Sequence, residues 1–315
     1  MPDPNSMARA MGLAFLTTAL VLGLCTWWSR RRGTQPALWI DAGWVVGLAA
    51  GFSLGCGLLL PWPHWPPRED LDRFLLIIIP AVLIVELVGA FPRLNRLYWV
   101  LWGMVIVCAL RVLLHGSIYL AGPPARAWSP AQRALILGSL TGALAAAWIH
   151  LTRLARRAPG ISTVVALAIA VGGSALTIML SGYATGGQAG LPLSAALLGG
   201  AAVAWLRPGP ARGDAPIGVG VVGLFSLLVI GRFFGELRTD HALVLFAAPV
   251  LAWLPELPRL RRLPAWARGL LRVLLVGLVV GAVLGDAARR FAAESGPTQP
   301  GSKEPSIEDY MDPGL

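Results

Sequence analysis

Apolar runs long enough to cross a bilayer follow one another along almost the whole chain, and no other feature limits its fold as much. A helix needs about 20 such residues to cross roughly 30 Å of hydrocarbon. The runs cover 8–28, 38–60, 74–91, 97–120, 134–151, 161–183, 191–206, 217–234, 242–254 and 269–287. A helix satisfies its backbone donors and acceptors within its own segment, which hydrocarbon demands. The pattern therefore predicts an all-α fold: a polytopic transmembrane helical bundle of about ten spans, one domain over residues 1–291. The seventh and ninth runs are short, and Pro249 lies inside the ninth.

Composition excludes the alternatives. Only 13% of the 315 residues are charged and 56% are hydrophobic, whereas a soluble domain carries about 25% charged residues. So few charges cannot coat a surface facing water. A soluble enzyme, a disordered chain and a secreted disulfide scaffold are excluded. The three cysteines, Cys25, Cys56 and Cys108, sit inside apolar runs without CxxC spacing. They read as small buried hydrophobes, and neither a metal site nor a cofactor is indicated.

The net charge of +10 comes almost entirely from arginine. Its distribution argues for loops at a membrane face and against nucleic acid. One alternate set of connections holds Arg30, Arg31 and Arg32; Arg93 and Arg96; Arg153, Arg156 and Arg157; Arg207 and Arg212; and Arg259, Arg261, Arg262 and Arg268. The other set is sparser, with Arg9, Arg68, Arg73, Arg126, Arg133, Arg238, Arg289, Arg290 and Lys303. The positive-inside rule makes the first set cytoplasmic. This predicts a multi-pass protein of a cell membrane, plasma or inner, with both termini outside the cytoplasm. Were the ninth run not a span, the 259–268 arginines would be external, against that bias. The first run has its charge after the apolar core rather than before it, so it reads as a retained span, not a cleaved signal. Residues 292–315 are polar and acidic and read as a disordered tail.

Two packing patterns stand out. Gly43, Gly47, Gly51 and Gly55 recur every four residues in the second run, and Gly277, Gly281 and Gly285 do so in the tenth. Glycines four apart share a helix face and let another backbone approach. An internal repeat is also suggested. Asp72, Pro80 and Glu86, followed by Pro92-Arg93-Leu94, echo Asp240, Pro249 and Glu256, followed by Pro258-Arg259-Leu260. Gly33 and Pro36 before the second run echo Gly213 and Pro216 before the eighth. This would pair helices one to four with seven to ten as a parallel repeat. Chance resemblance between apolar, arginine-rich segments is the competing explanation.

Ionisable residues inside spans are the functional candidates, because each costs at least ~2.5 kcal/mol near the bilayer centre on insertion scales. Arg111 and His115 are four apart in the fourth run, with Arg111 about 13 Å deep if the run is helical to residue 120. Pairing with a carboxylate is the favoured role for Arg111, ahead of contact with an anionic substrate. Glu86 follows Pro80 in the third run, and a proline-broken helix carrying an acid suits an ion or proton site. Asp41 reads as interfacial. Ser181 and His241 lack a GxSG context, the histidines lack a haem-like pairing, and no HExxH, P-loop or dinucleotide fingerprint occurs. The leading expectation is a small-solute or ion transporter-like protein, its path formed by Glu86, Arg111 and His115 with the Pro80 and Pro249 breaks. A non-catalytic assembly or scaffold subunit is the alternative, and a lipid-directed enzyme the third. Expected partners are the lipid bilayer and a membrane-protein partner or second copy.

Overall fold

The computed structural model describes residues 3–32, 36–121, 128–158, 160–206 and 214–294. Arg126, Arg207, Arg212, Gly33, Gly213 and the tail beyond residue 294 fall outside them. Among the described residues, eight helices are long and apolar enough to cross a membrane. They are α1 (Pro4–Arg32), α2 (Pro36–Leu59), α4 (Asn95–Leu113), α5 (Pro130–Arg157), α6 (Ser162–Leu180), α7 (Gly190–Leu206), α8 (Asp214–Phe233) and α10 (Ala265–Glu294). The protein is an all-α helical membrane bundle. The last helix runs to Glu294, so the first residues assigned to the tail are helical.

The third and ninth runs are also helical but change helix type along their length, and neither is among those eight, where about ten spans were expected. The third, α3 (70–89), begins with one α-turn, Asp70–Arg73, widens into a π-turn over Phe74–Ile78, and resumes as α-helix at Ile79–Gly89. Pro80 cannot donate to the helical ladder and its ring crowds the carbonyl four residues back. The wider π-turn just before it gives that crowding room. The ninth, α9 (239–256), is α-helical over Thr239–Ala247 and a 3-10 helix over Ala248–Glu256. A 3-10 helix rises ~2 Å per residue instead of 1.5 Å. Its 9 α and 9 3-10 residues therefore reach about 30 Å, enough to span.

Helix direction alternates along the bundle. Asp41, Glu86, Asn95, Arg156 and Ala215 meet around one cavity, and Arg157, Ser162, Trp205, Trp266 and Arg272 around the next. These residues come from the start of α2 and from the α3–α4, α5–α6, α7–α8 and α9–α10 junctions. The described arginines of the richer set therefore gather at one end. At the other end, Tyr183 donates to Asp70, Arg73 reaches the Leu113 carbonyl, Tyr119 stacks on Trp128, and His241 meets Asp286. Both interrupted helices consequently run from one end to the other.

The core sits around α8, whose apolar window is 89% buried, against 22% for α5 at the periphery. Close backbone approach fixes α1 against α2. A Cβ on Gly43 would lie 2.7 Å from the Cys25 Cβ, and one on Gly51 only 2.5 Å from the Ala14 carbonyl oxygen. On Gly55 it would lie 2.7 Å from Pro192 Cβ, and on Gly47 it would press on the Thr18 carbonyl. The Thr18 hydroxyl donates to the Gly47 carbonyl at 3.0 Å across the same seam. Gly277, Gly281 and Gly285 differ: among the described residues a Cβ there meets nothing within 4 Å, so α10 presents them away from the rest of the bundle. The two suggested repeats share an interrupted third member but differ in packing. α2 lies along α1, whereas Gly199 of α7 presses its face against the Phe15 backbone of α1.

Candidate functional site

Glu86 lies three residues before the end of α3, past the π-turn, and is 3% exposed. Its carboxyl fits because α8 has a glycine opposite. A Cβ on Gly218 would lie 2.8 Å from Glu86 Cδ and 2.7 Å from Trp102 Cζ2. Gly89, one turn on, similarly clears space for the Tyr98 ring, whose Cε2 would stand 2.6 Å from an added Cβ. Beside the carboxyl is a cavity of about 30 Å³, lined also by Asp41, Asn95, Tyr98 and Arg156. That is room for a water or two. An aromatic wall closes the side toward the core. Tyr98 meets Trp102 edge-on, and Trp102 stacks on Trp148 at 4.3 Å.

The lining joins two carboxylates, Asp41 and Glu86, to one guanidinium, Arg156. The formal surplus is negative, and the amide of Asn95 and the phenol of Tyr98 add neutral polar groups. Such a set can hold a proton shared between acids or a small hydrated cation. Among the described residues no group of three or more His, Cys, Asp and Glu side chains is arranged to hold a metal ion.

Of the residues on this pocket, the sequence analysis singles out Glu86 but not its neighbours. Asp41, read from the sequence as interfacial, is 8% exposed and lines the pocket with Glu86 near the arginine-rich end. Arg156 looked like a topology signal only. Both sit within about a turn and a half of a helix end on the arginine-rich side, and that shared depth was the available signal.

The other expected path residues lie elsewhere. α4 ends at Leu113, not residue 120, because the chain turns at Gly116 with φ +72°. A positive φ is costly for any residue with a Cβ, so glycine stops the helix here. Arg111 is therefore in the last turn of α4 and exposed, not about 13 Å deep. There its charge favours the negative helix end. Arg111 and His115 line a separate cavity of about 410 Å³ with Arg73, Ile77 and Cys108. Tyr98, on the Glu86 pocket, precedes Arg111 by thirteen residues of one helix, about 20 Å. Glu86 and Arg111 therefore do not pair. Pro249 is buried near the start of the 3-10 segment of α9, well before Glu256.

A second buried carboxylate, Glu256, ends α9. Arg272 and Arg268 both donate to its Oε1, Arg268 at 3.2 Å, and Arg261 stands 3.6 Å from Oε2. Arg272 also donates to the Ser162 hydroxyl at 3.0 Å. This cluster ties α6, α9 and α10 together at the arginine-rich end. No family model matches the chain, and no curated protein matches it.

Proposed function

We propose that this integral membrane protein is transporter-like, handling a proton or small cation, with the Glu86 pocket as its binding point. The observation that carries the reading is the space kept for the Glu86 carboxyl: Gly218 opposite it, a water-sized cavity beside it, and Asp41 sharing that cavity. A buried acid is costly in hydrocarbon, so a chain that builds room and polar company around one is using it. The π-turn and Pro80 support the reading further, since interrupted helices supply the adjustable backbone near transporter sites. By the positive-inside rule, the arginine-rich end and its pocket face the cytoplasm of a cell membrane, and both termini lie outside. Pro80 would then be a hinge for α3 and Pro249 its counterpart in α9, as a parallel duplication would require. Arg111 and His115 would serve only as the opposite mouth.

Purified protein in liposomes tests this. A pH-sensitive dye inside the vesicles, under an imposed membrane potential and with different cations outside, should report flux. Glu86→Gln should lower it by about tenfold or more, the loss expected from removing one charged ligand worth over 1.4 kcal/mol. Equal flux in a well-folded Glu86→Gln protein would sink the assignment.

A scaffold role is the second reading. The outward strip of Gly277, Gly281 and Gly285 on α10 favours it, since small residues facing lipid leave room for another helix. A stoichiometric partner retained through purification in mild detergent, together with no flux, would support that reading instead.

A further inference from the structure

A cavity of about 650 Å³ opens at the arginine-rich end between α5, α6, α7 and α10. Its polar lining is Arg157, Ser162, Arg268 and Arg272, and its apolar lining includes Val165, Leu270 and Val273. None of the described lining residues is acidic. Glu256, just behind, already accepts from Arg268 and Arg272 on one oxygen and faces Arg261 on the other. One carboxylate thus stands against four arginines, counting Arg157, and the balance is positive. Arg272 is 4% exposed, and among the described residues neither its Nε nor that of Arg268 has a hydrogen-bond partner. Two helix N-termini also open here, α6 at Ser162 and α10 at Ala265. Their first backbone N–H groups have no acceptor within the helix, and they carry the positive ends of the helix dipoles.

The C-terminal ends of α5 and α7, at Arg157 and Trp205, border the same cavity and offset the two N-termini, so it is the arginine surplus that favours an anion. The cavity's surroundings are those of the membrane interface. Trp205 and Trp266 flank it, 71% and 73% exposed, as aromatic side chains do at headgroup level. Leu270, half exposed, continues the outer surface toward the hydrocarbon. We propose that this cavity binds the phosphate headgroup of an anionic phospholipid from the arginine-rich leaflet, with the acyl chains lying along α10. The Arg73–Arg111–His115 cavity lies at the other end of the bundle, where the sequence places fewer arginines. The proposal is independent of the Glu86 pocket, which carries the opposite charge surplus.

The test is native mass spectrometry of the full chain with phosphatidylglycerol or phosphatidylcholine added to the detergent. Phosphatidylglycerol should be retained preferentially. The double variant Arg157→Gln, Arg268→Gln should weaken that retention by about tenfold or more, since each basic residue near a membrane surface contributes about 1 kcal/mol. Both side chains are more exposed than Arg272, and thermal unfolding of the variant checks that it is folded. Flux through the Glu86 pocket should be unchanged in it. Equal retention of the two lipids, or equal retention of phosphatidylglycerol by a folded double variant, overturns the proposal. So does displacement of the lipid by micromolar inorganic phosphate, which would make the ligand a soluble anion.

Discussion

At the scale of single residues, the features that matter are pairs of a polar group and the space left for it. Glu86 and Gly218 are such a pair. Adding a methyl at Gly218 places it 2.8 Å from Glu86 Cδ and 2.7 Å from Trp102, with stacked tryptophans behind. Overpacking of this kind costs about 1–3 kcal/mol. Gly218→Ala should therefore lower the unfolding temperature in detergent. In a Glu86→Ala background the same substitution should cost clearly less, because half of the collision is with the carboxyl. Additive effects of the two changes would show that they do not share the space. Arg111 offers the contrasting case. It is exposed in the last turn of α4, so Arg111→Gln should change stability by no more than about 0.5 kcal/mol. A buried, paired arginine would cost far more. Glu86 was legible in the sequence as an acid inside an apolar run. The depth of Arg111 was not, because one glycine with positive φ ends the helix early and apolar residues simply continue past it.

At the scale of helices, glycine spacing predicts a shared face but not what that face meets. Gly43, Gly47 and Gly51 meet α1 and Gly55 meets Pro192 of α7 as well as α1, while a Cβ on the equally regular glycines of α10 meets nothing within 4 Å among the described residues. The periodicity is identical, so the difference lies in the partner, which sequence spacing cannot carry. Gly51→Val should accordingly destabilise strongly, because its Cβ would lie 2.5 Å from a backbone oxygen that cannot step aside. Gly281→Val should leave the unfolding temperature of the monomer almost unchanged. Comparing the two variants by thermal unfolding in detergent separates packing from pattern. A large loss at Gly281 would mean that this face is covered by another copy or partner. The interrupted helices teach a related lesson. Apolar length alone made the ninth run look too short to cross. The helix runs past the apolar run at both ends, over 239–256, and its 3-10 half adds about 4.5 Å to what an α-helix of that length would reach, for about 30 Å in all.

At the scale of the whole molecule, arginine placement and helix geometry point to one threading. The charge alternation is a statement about sequence, while the gathering of Arg156, Arg157, Arg268 and Arg272 with Asp41 and Asn95 at one end is a statement about packing. The agreement has a physical origin, because loops rich in arginine resist translocation and so fix which helix ends share a side. It also sorts the chemistry: both buried glutamates, the negative pocket and the positive cavity lie at that end. Sided labelling tests the threading directly. With Cys25, Cys56 and Cys108 replaced by alanine, single cysteines at Arg153, Arg261, Trp62 and Arg238 probe exposed positions at both ends. A membrane-impermeant maleimide added to intact cells should label Trp62→Cys and Arg238→Cys, and should reach Arg153→Cys and Arg261→Cys only after permeabilisation. If α9 failed to cross, Arg261→Cys would label from outside while Arg153→Cys stayed protected. That single change would move the anionic-lipid cavity out of register with its own lining, since Arg157 and Arg268 could not then meet at one membrane face.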